Sequence, residues 1–323
     1  MGLPVRLVLH GVDEPLARHA ARTAFERIAA LDRIMSDYRP DSELRHLERG
    51  AGRFVVVSAD LFTVLRRAIE IAQSTDGAFD PTVAPFVKLW REARRTGRMP
   101  GDSALAAART KVGWQHIRFD DVRTAIRLDR PGMSLDLGGI AKGYILQQAL
   151  QTLRGFGVTR ALVESGGDIV VGDPPPGRTG WTIRTEGAGA AFASRASNLI
   201  NAALATSGAS VQFVQIDGVR YSHVIDPRTG LGVTNPHTAW VIARDGATAD
   251  ALATAFTVLG PAAAGALLPK FPGIMVSLST GEFQRGRRER GLDTEKRRNG
   301  DVRRRAACRR PADSRSGGPR FAR

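Results

Sequence analysis

The sequence predicts an α+β fold, because strands and helices follow one another without the regular alternation of a doubly wound parallel sheet. Residues 3–10 alternate apolar and polar positions, as a half-buried strand does, and residues 15–36 carry apolar side chains near helical spacing. Asp217-Gly218 separates two apolar runs, 211–216 and 219–224, and this residue pair is typical of a tight β-hairpin.

The remaining elements follow from the same patterns, taken in chain order. Ser58 can cap a helix that runs to Ser74 and ends at the Asp76-Gly77 turn. Further helices are predicted at 104–111, 140–153 and 248–259. Further strands are predicted at 116–119, 125–128, 133–137, 160–164, 169–171 and 238–243.

The net charge of +15 belongs mainly to the C-terminal residues. Residues 284–323 contain 15 Arg or Lys and 5 Asp or Glu, so the preceding 283 residues are only mildly basic. Apolar periodicity ends near Phe283, and the composition beyond it is that of a disordered segment. We therefore expect one folded domain over 1–283 and an Arg-rich, disordered tail over 284–323.

Composition also restricts the class and location of the protein. The single cysteine, Cys308, allows neither an intrachain disulfide nor a cysteine metal cluster. No run approaches the roughly 20 apolar residues that span a bilayer, so we expect no transmembrane segment. No secretory signal is visible, so we expect a cytoplasmic protein; a start codon assigned too late would instead leave a periplasmic or membrane-anchored protein open.

The segment LDLGGIAKGY (135–144) places a carboxylate, two glycines and a lysine around the start of a helix. Glycines at a helix N-terminus allow backbone N–H groups to approach a phosphate, and Lys142 adds a positive charge. Asp136 can instead be an ordinary turn carboxylate, and Lys142 an ordinary solvated lysine. The spacing is not that of a Walker loop, since no Ser or Thr follows Lys142.

Asp250 and Thr254 lie four residues apart and so share one face of a predicted helix. Their oxygens suit Mg²⁺, which takes few protein ligands and completes its shell with phosphate and water. The alternative is an Asp that favours the helix dipole and a Thr that bonds back to a carbonyl.

His223 lies in the segment YSHVIDPRTG (221–230), at the end of the second hairpin strand. A histidine can titrate near neutral pH and act as a general base, although a lone histidine is more often structural. The other histidines form no HExxH pair, and Gly155-Phe156-Gly157 lacks the third glycine of a dinucleotide fingerprint.

Eight segments, taken in chain order, carry a further signal: MGLPVRLV, MSDYRPDSEL, DGAFDPTV, LDLGGIAKGY, ESGGDI, ATSG, YSHVIDPRTG and ADALATAFTVLG. Together they resemble the ApbE family of FAD:protein FMN transferases, and the likeness runs from Met1 to about Leu278. The fold that this resemblance implies is α+β, with two sub-lobes around a substrate cleft.

The resemblance implies an FAD site and a Mg²⁺ site. Magnesium would be bound by the backbone carbonyl of Gly139 and the side chains of Asp250 and Thr254. Aromatic Tyr38 and Phe79 suit packing against flat rings. The residues implied to line the FAD site are Met1, Tyr38, Ala78, Phe79, Asp80, Asp136, Lys142 and Ile225.

The implied reaction is Mg²⁺-dependent transfer of FMN from FAD to a Thr or Ser hydroxyl of an acceptor flavoprotein, with release of AMP. His223 is the candidate to accept the hydroxyl proton. One departure stands out, because family members normally close with a pair of strands, whereas this chain runs from Ile274–Leu278 into the arginine-rich tail.

Three other functions remain open on the sequence alone. Water in place of the acceptor hydroxyl would make the protein an FAD pyrophosphatase that yields FMN and AMP. The basic tail would suit a nucleic-acid-binding protein, although the body of the chain carries no basic stripe or binding module, so we expect no specific nucleic-acid partner. A protein that stores FAD without turnover is the third possibility.

Overall fold

A computed structural model of the protein describes residues 3–208 and 212–279, and the elements below are given within those ranges. The helices are α1 (Glu14–Met35), α2 (Glu43–Arg49), α3 (Ala59–Ser74), α4 (Ala84–Thr96), α5 (Asp102–Arg109), α6 (Ala141–Gly155), α7 (Ala190–Ala196) and α8 (Gly246–Leu267). The strands are β1 (Val5–Leu9), β2 (Val55–Val56), β3 (Ile117–Asp120), β4 (Ala125–Leu128), β5 (Ala161–Ser165), β6 (Asp168–Val171), β7 (Ala202–Gly208), β8 (Phe213–Ile216), β9 (Val219–Ser222), β10 (Ile225–Asp226), β11 (Leu231–Gly232), β12 (Thr238–Ala243) and β13 (Met275–Ser279).

Six of these strands form one antiparallel sheet in the order β1-β5-β6-β7-β12-β13. Strands β5 and β6 are joined by Gly166 and Gly167, whose φ angles of 55° and 91° permit a very tight turn. The turn pairs Ser165 with Asp168 and so places a carboxylate at this end of the sheet. The antiparallel sheet with its packed helices confirms the predicted α+β class.

Helices α1, α3, α6 and α8 pack with one face of the sheet to form the main core. A second apolar cluster contains Trp181, Phe192 of α7 and Trp240 of β12. Helix α8 and the turn after it, Gly246–Lys270, meet the length and hydropathy of a membrane-spanning helix, a test that a buried core helix also meets, so the described residues contain no clear transmembrane helix. Half of that stretch is buried against the protein's own core, which accounts for its apolar character.

A smaller apolar cluster joins α4 and α5 to the β8–β9 hairpin and is separate from the main core. The indole Nε1 of Trp90 donates to the carbonyl of Gly230 at 2.8 Å, which attaches α4 to the chain after the hairpin. Asp217 and Gly218 have φ angles of 49° and 79°, as the predicted two-residue hairpin turn requires. We call α4, α5 and the β8–β9 hairpin, which this cluster holds together, the smaller lobe.

Side-chain caps define where several helices begin. Ser58 caps α3 as predicted, because its Oγ accepts a hydrogen bond from the N–H of Leu61 at 3.2 Å. Asp245 caps α8 in the same way through Thr248 N at 2.8 Å. Such caps each contribute about 1 kcal/mol.

Some predicted elements differ from those observed. Residues 133–137 alternate in burial but do not form a strand, because Asp136 N donates to the carbonyl of Pro81 and Leu135 N to the carboxylate of Glu48. Helix α8 continues past the predicted end at Leu259 through a kink at Gly260, which has a φ of 73°. The residue after the kink is Pro261, which cannot donate the missing hydrogen bond.

Several observed elements were not predicted from the sequence. The apolar patterns of α2, α4 and α7 are short or interrupted, and β7 consists of small residues without alternation. Met1, Val211 and the predicted tail 284–323, with its boundary at 283/284, lie outside the described residues.

Helices α6 and α8 cross at two glycines, with backbone directly against backbone. A Cβ on Gly143 would overlap the carbonyl oxygen of Gly246 and lie 2.9 Å from Cβ of Asp250. A Cβ on Gly246 would likewise overlap the carbonyl group of Gly143. Neither overlap involves a flexible side chain that could move aside, so the crossing requires glycine on both helices.

We predict that Gly143→Ala lowers the free energy of unfolding by about 2–4 kcal/mol, because the added methyl forces the two helices apart. Gly155→Ala is the matched control in the same helix, since nothing lies within 4 Å of its Cβ position. Urea unfolding followed by circular dichroism measures both. Equal stabilities of the two variants would show that the crossing tolerates a methyl group.

Candidate active site

The Gly139 turn and helix α8 meet, although more than a hundred residues separate them in the chain. A Cβ on Gly139 would lie 2.8 Å from Oγ1 of Thr254 and 3.3 Å from the ring of Phe79. The Gly139 turn therefore lies directly against Thr254.

Asp250 is bound to the first turn of α6. Its Oδ2 accepts a hydrogen bond from the N–H of Gly143 at 3.0 Å, and only 6% of the residue is exposed. Ile140, the residue before α6, provides no side-chain cap, so Asp250 satisfies one of the unpaired N–H groups from another helix. Because Asp245 already caps α8, Asp250 is not needed for the start of its own helix.

Lys142 is paired with a buried carboxylate that the sequence did not single out. Its Nζ lies 3.0 Å from Oδ2 of Asp168, which is 2% exposed. Oδ1 of Asp168 accepts from Thr206 N at 3.2 Å, whereas no hydrogen-bond donor reaches Oδ2 with good geometry among the described residues. The interruption of the apolar pattern at Gly166-Gly167-Asp168 was the available signal for this residue.

The cluster holds two buried carboxylates and one ammonium group, whose side chain is 22% exposed. Burial, reinforced by the nearby Asp168, raises the pKa of Asp250 to about 8, while Lys142 and the Gly143 N–H oppose the shift. Burial likewise raises the pKa of Asp168 against the effect of Lys142. For Lys142, burial opposes ionisation, but Asp250 and Asp168 outweigh it and raise its pKa. The arrangement favours an additional cation or proton.

Asp136 has the turn role that the sequence left open, and it also faces a cation. Its Oδ1 accepts from Gly138 N at 2.8 Å, and its Oδ2 lies 3.9 Å from Arg91 of α4. Burial raises the pKa of this carboxyl, with Gly138 N–H and Arg91 acting in the opposite direction. The carboxylate therefore both shapes the glycine turn and faces Arg91.

The other residues implied to bind FAD differ in accessibility. Tyr38 is 78% exposed, whereas Ala78, Phe79, Asp80 and Ile225 are each at most 6% exposed. The carboxylate of Asp80 is occupied by Thr82 N, Thr82 Oγ1 and Trp114 N, at 2.6–3.1 Å. Its side chain therefore builds the loop that carries Phe79, and Tyr38 offers the accessible aromatic surface.

His223 follows β9 and is oriented by the backbone. Its Nδ1 donates to the carbonyl of Gln212 at 3.1 Å, which leaves Nε2 as the ring nitrogen able to accept a proton. Burial lowers the pKa of His223, and the positive charges of Arg94 and Lys142 lower it further. Arg94, which the sequence did not single out, has no ion-pair partner within residues 3–208 and 212–279.

No group of three or more His, Cys, Asp or Glu among the described residues could bind a metal by itself. The ligand set implied by the family contains one acidic side chain, together with a backbone carbonyl and a hydroxyl. Any metal bound there would need further oxygen ligands from substrate and water, which is the usual situation for Mg²⁺.

A separate depression of about 580 Å³ lies at the opposite end of β5 and β6 and is lined by His10, Arg160 and Asp173. Its lining contains none of the catalytic, FAD-binding or metal-binding residues predicted from the sequence.

Removing the charge of Lys142 should expose the repulsion between the two carboxylates. We predict that Lys142→Met lowers the free energy of unfolding by more than about 2 kcal/mol in EDTA, because both buried acids lose their cation. Lys142→Met/Asp168→Asn should be more stable than Lys142→Met alone, since only one carboxylate remains. Additive effects in urea unfolding would contradict the coupling.

The chain is similar to a known protein family in both sequence and structure. The model of the ApbE family matches residues 1–278. An FAD:protein FMN transferase of Treponema pallidum is 34% identical over 275 residues, covering 79% of this chain and 76% of that protein. One from Klebsiella pneumoniae is 32% identical over 265 residues, covering 80% of each chain. The crystal structure of the ApbE protein of Thermotoga maritima superimposes with a TM-score of 0.72 at 30% identity, covering 85% of this chain and 90% of that one.

Proposed function

The chain belongs to the ApbE family, and on that basis we propose that it is an FAD:protein FMN transferase, which moves FMN from FAD to an acceptor flavoprotein. The observation that carries the proposal is the convergence of the Gly139 turn, Lys142 and the Asp250/Thr254 face of α8 in one buried cluster. Cations and helix N-termini favour a bound diphosphate.

The residues present fit a Mg²⁺ ion. The Gly139 carbonyl, Asp250 and Thr254 are hard oxygen donors, and the turn lies against Thr254. The buried Oδ2 of Asp168, which has no well-aligned donor among the described residues, adds negative charge that a cation would offset. When bound, Mg²⁺ would reduce the negative charge on the FAD diphosphate and orient it.

The chain's own residues then account for the rest of the reaction. Lys142 holds the diphosphate, and Asp168 fixes the Lys142 ammonium group. His223 Nε2 accepts the proton of a Thr or Ser hydroxyl on the acceptor. The hydroxyl oxygen bonds to the FMN-side phosphorus, the bond between that phosphorus and the bridging oxygen breaks, and AMP leaves.

Transfer and hydrolysis differ only in the attacking oxygen. The decisive experiment incubates the protein with FAD, Mg²⁺ and an acceptor flavoprotein, and then measures the acceptor by intact-mass spectrometry. A mass increase equal to FMN minus one water, with AMP in solution, is expected. FMN and AMP without acceptor modification would show a pyrophosphatase, and unchanged FAD would reject both activities.

Asp250→Asn tests the metal site while preserving the hydrogen bond that Gly143 donates. We predict about a 100-fold loss of transfer rate, because the only acidic member of the ligand set loses its charge. Thr254→Val should also lose most activity. Thr257→Val, one turn further along α8, is the matched control, since Thr257 Oγ1 bonds only to the carbonyls of Ala253 and Ser207. Full activity of Asp250→Asn at limiting Mg²⁺ would reject this assignment.

The low pKa of His223 predicts how transfer depends on pH. Because burial, Arg94 and Lys142 favour the neutral ring, the acidic limb of the rate profile should lie below the ordinary histidine value of about 6.5. Arg94→Ala removes one repelling charge and should shift this limb to higher pH. His223→Ala should slow transfer more than it weakens FAD binding. A profile that Arg94→Ala leaves unchanged would remove His223 from the proton-transfer step.

A further inference from the structure

Arg91 joins the smaller lobe to the loop that follows α1. The buried residues of α4 are Phe86, Trp90 and Ala93, whereas Arg91 contacts the loop after α1. Its Nη2 donates to Asp37 Oδ2 at 2.7 Å and to Tyr38 Oη at 3.1 Å. Its guanidinium carbon lies 4.6 Å from the centre of the Tyr38 ring. One side chain thus fixes both the loop and the ring.

The loop is also held from its other side. Arg45 of α2 donates from Nε to the carbonyl of Asp37 at 3.0 Å. The Arg91–Asp37 pair is partly shielded, with side-chain exposures of 35% and 15%, and screening by solvent is therefore reduced. Tyr38 itself remains 78% exposed. The arginine is anchored, and the tyrosine ring stands out into solvent with the guanidinium at one face.

We infer that Arg91 is a positioning residue for FAD, which holds the Tyr38 ring in place so that a flat ring system of FAD stacks on the ring's other face. The inference rests on the proposed function, because it assigns a role within the same FAD site. An exposed tyrosine without this support would have to be ordered when the ligand binds, and that ordering weakens affinity. Aromatic side chains provide such stacking surfaces for nucleotide bases generally.

Arg91 has a second effect on the same ligand. Asp37 and Asp136 both lie within 3.9 Å of its guanidinium group. Their negative charges would repel the FAD diphosphate if Arg91 were absent. Orientation of the ring and neutralisation of the two acids act in the same direction, so both support FAD binding rather than the chemical step.

The test is FAD titration of the full chain, monitored by flavin fluorescence, together with the transfer rate at saturating FAD. The variants are Arg91→Ala, Arg91→Lys and a control. Arg91→Ala should bind FAD about 3- to 30-fold more weakly, with kcat at saturating FAD changed less than twofold. Arg91→Lys keeps the positive charge but not the planar guanidinium group, so its FAD affinity should lie between those of the native chain and Arg91→Ala. Arg95→Ala is the matched control on the same helix, because Arg95 is 73% exposed and pairs with Glu92.

A double variant separates positioning from general damage to the fold. Tyr38→Ala should weaken FAD binding, and Arg91→Ala should add less in that background than in the native chain. Equal or tighter FAD binding by Arg91→Ala would overturn the inference, since tighter binding means that the guanidinium occupies the place of the ring. Equal losses in Arg95→Ala would also overturn it. A native chain that binds no FAD would reject the proposed function itself.

Discussion

The backbone contact between Gly143 and Gly246 sets the distance between helices α6 and α8, and the geometry of the site depends on that distance. With the two helices this close, the carboxylate of Asp250 reaches the N–H of Gly143 and completes the first turn of α6. The same closeness brings Thr254 against the Gly139 turn. The two glycines therefore bring the N-terminus of α6, the carboxylate of Asp250 and the hydroxyl of Thr254 close together.

The charge of this cluster is net negative, which suits a divalent cation that binds together with the diphosphate of the proposed substrate. Asp168 and Asp250 are buried beside each other, and Lys142 compensates only part of their charge. A folded domain tolerates such a cluster only when hydrogen bonds and a counter-ion stabilise it. Thr206 and Gly143 provide the hydrogen bonds, and a divalent cation would offset the remaining negative charge and leave a net positive charge to attract the diphosphate.

The smaller lobe contributes Arg91 and Arg94 to the candidate site and orients His223. Helix α4 is fixed by Trp90, which bonds to the chain beyond the hairpin, and it carries Arg91, which contacts Asp37, and Arg94, whose charge acts on His223. The hairpin orients His223 through Gln212. The candidate site therefore combines Lys142 and Asp250, from helices of the main core, with the arginines of α4, from the smaller lobe.

The sequence by itself determined the local features of this protein. The Ser58 cap, the Asp217-Gly218 hairpin, the α+β class and the segments typical of the family each depend on neighbouring residues, whose periodicity and turn chemistry can be read directly. It also indicated that Asp250 and Thr254 share a helical face. It failed for 133–137, where an alternating pattern found no strand partner, and for the shorter elements whose stability comes from packing.

Only the tertiary structure decided which distant residues meet. Asp168 pairs with Lys142 because a tight turn between β5 and β6 points at α6, and nothing in the local sequence specifies that encounter. Arg91 contacts Tyr38 across more than fifty residues for the same reason. Such contacts, and the pKa shifts that burial produces in them, arise from the packing of whole elements, which local sequence patterns do not encode.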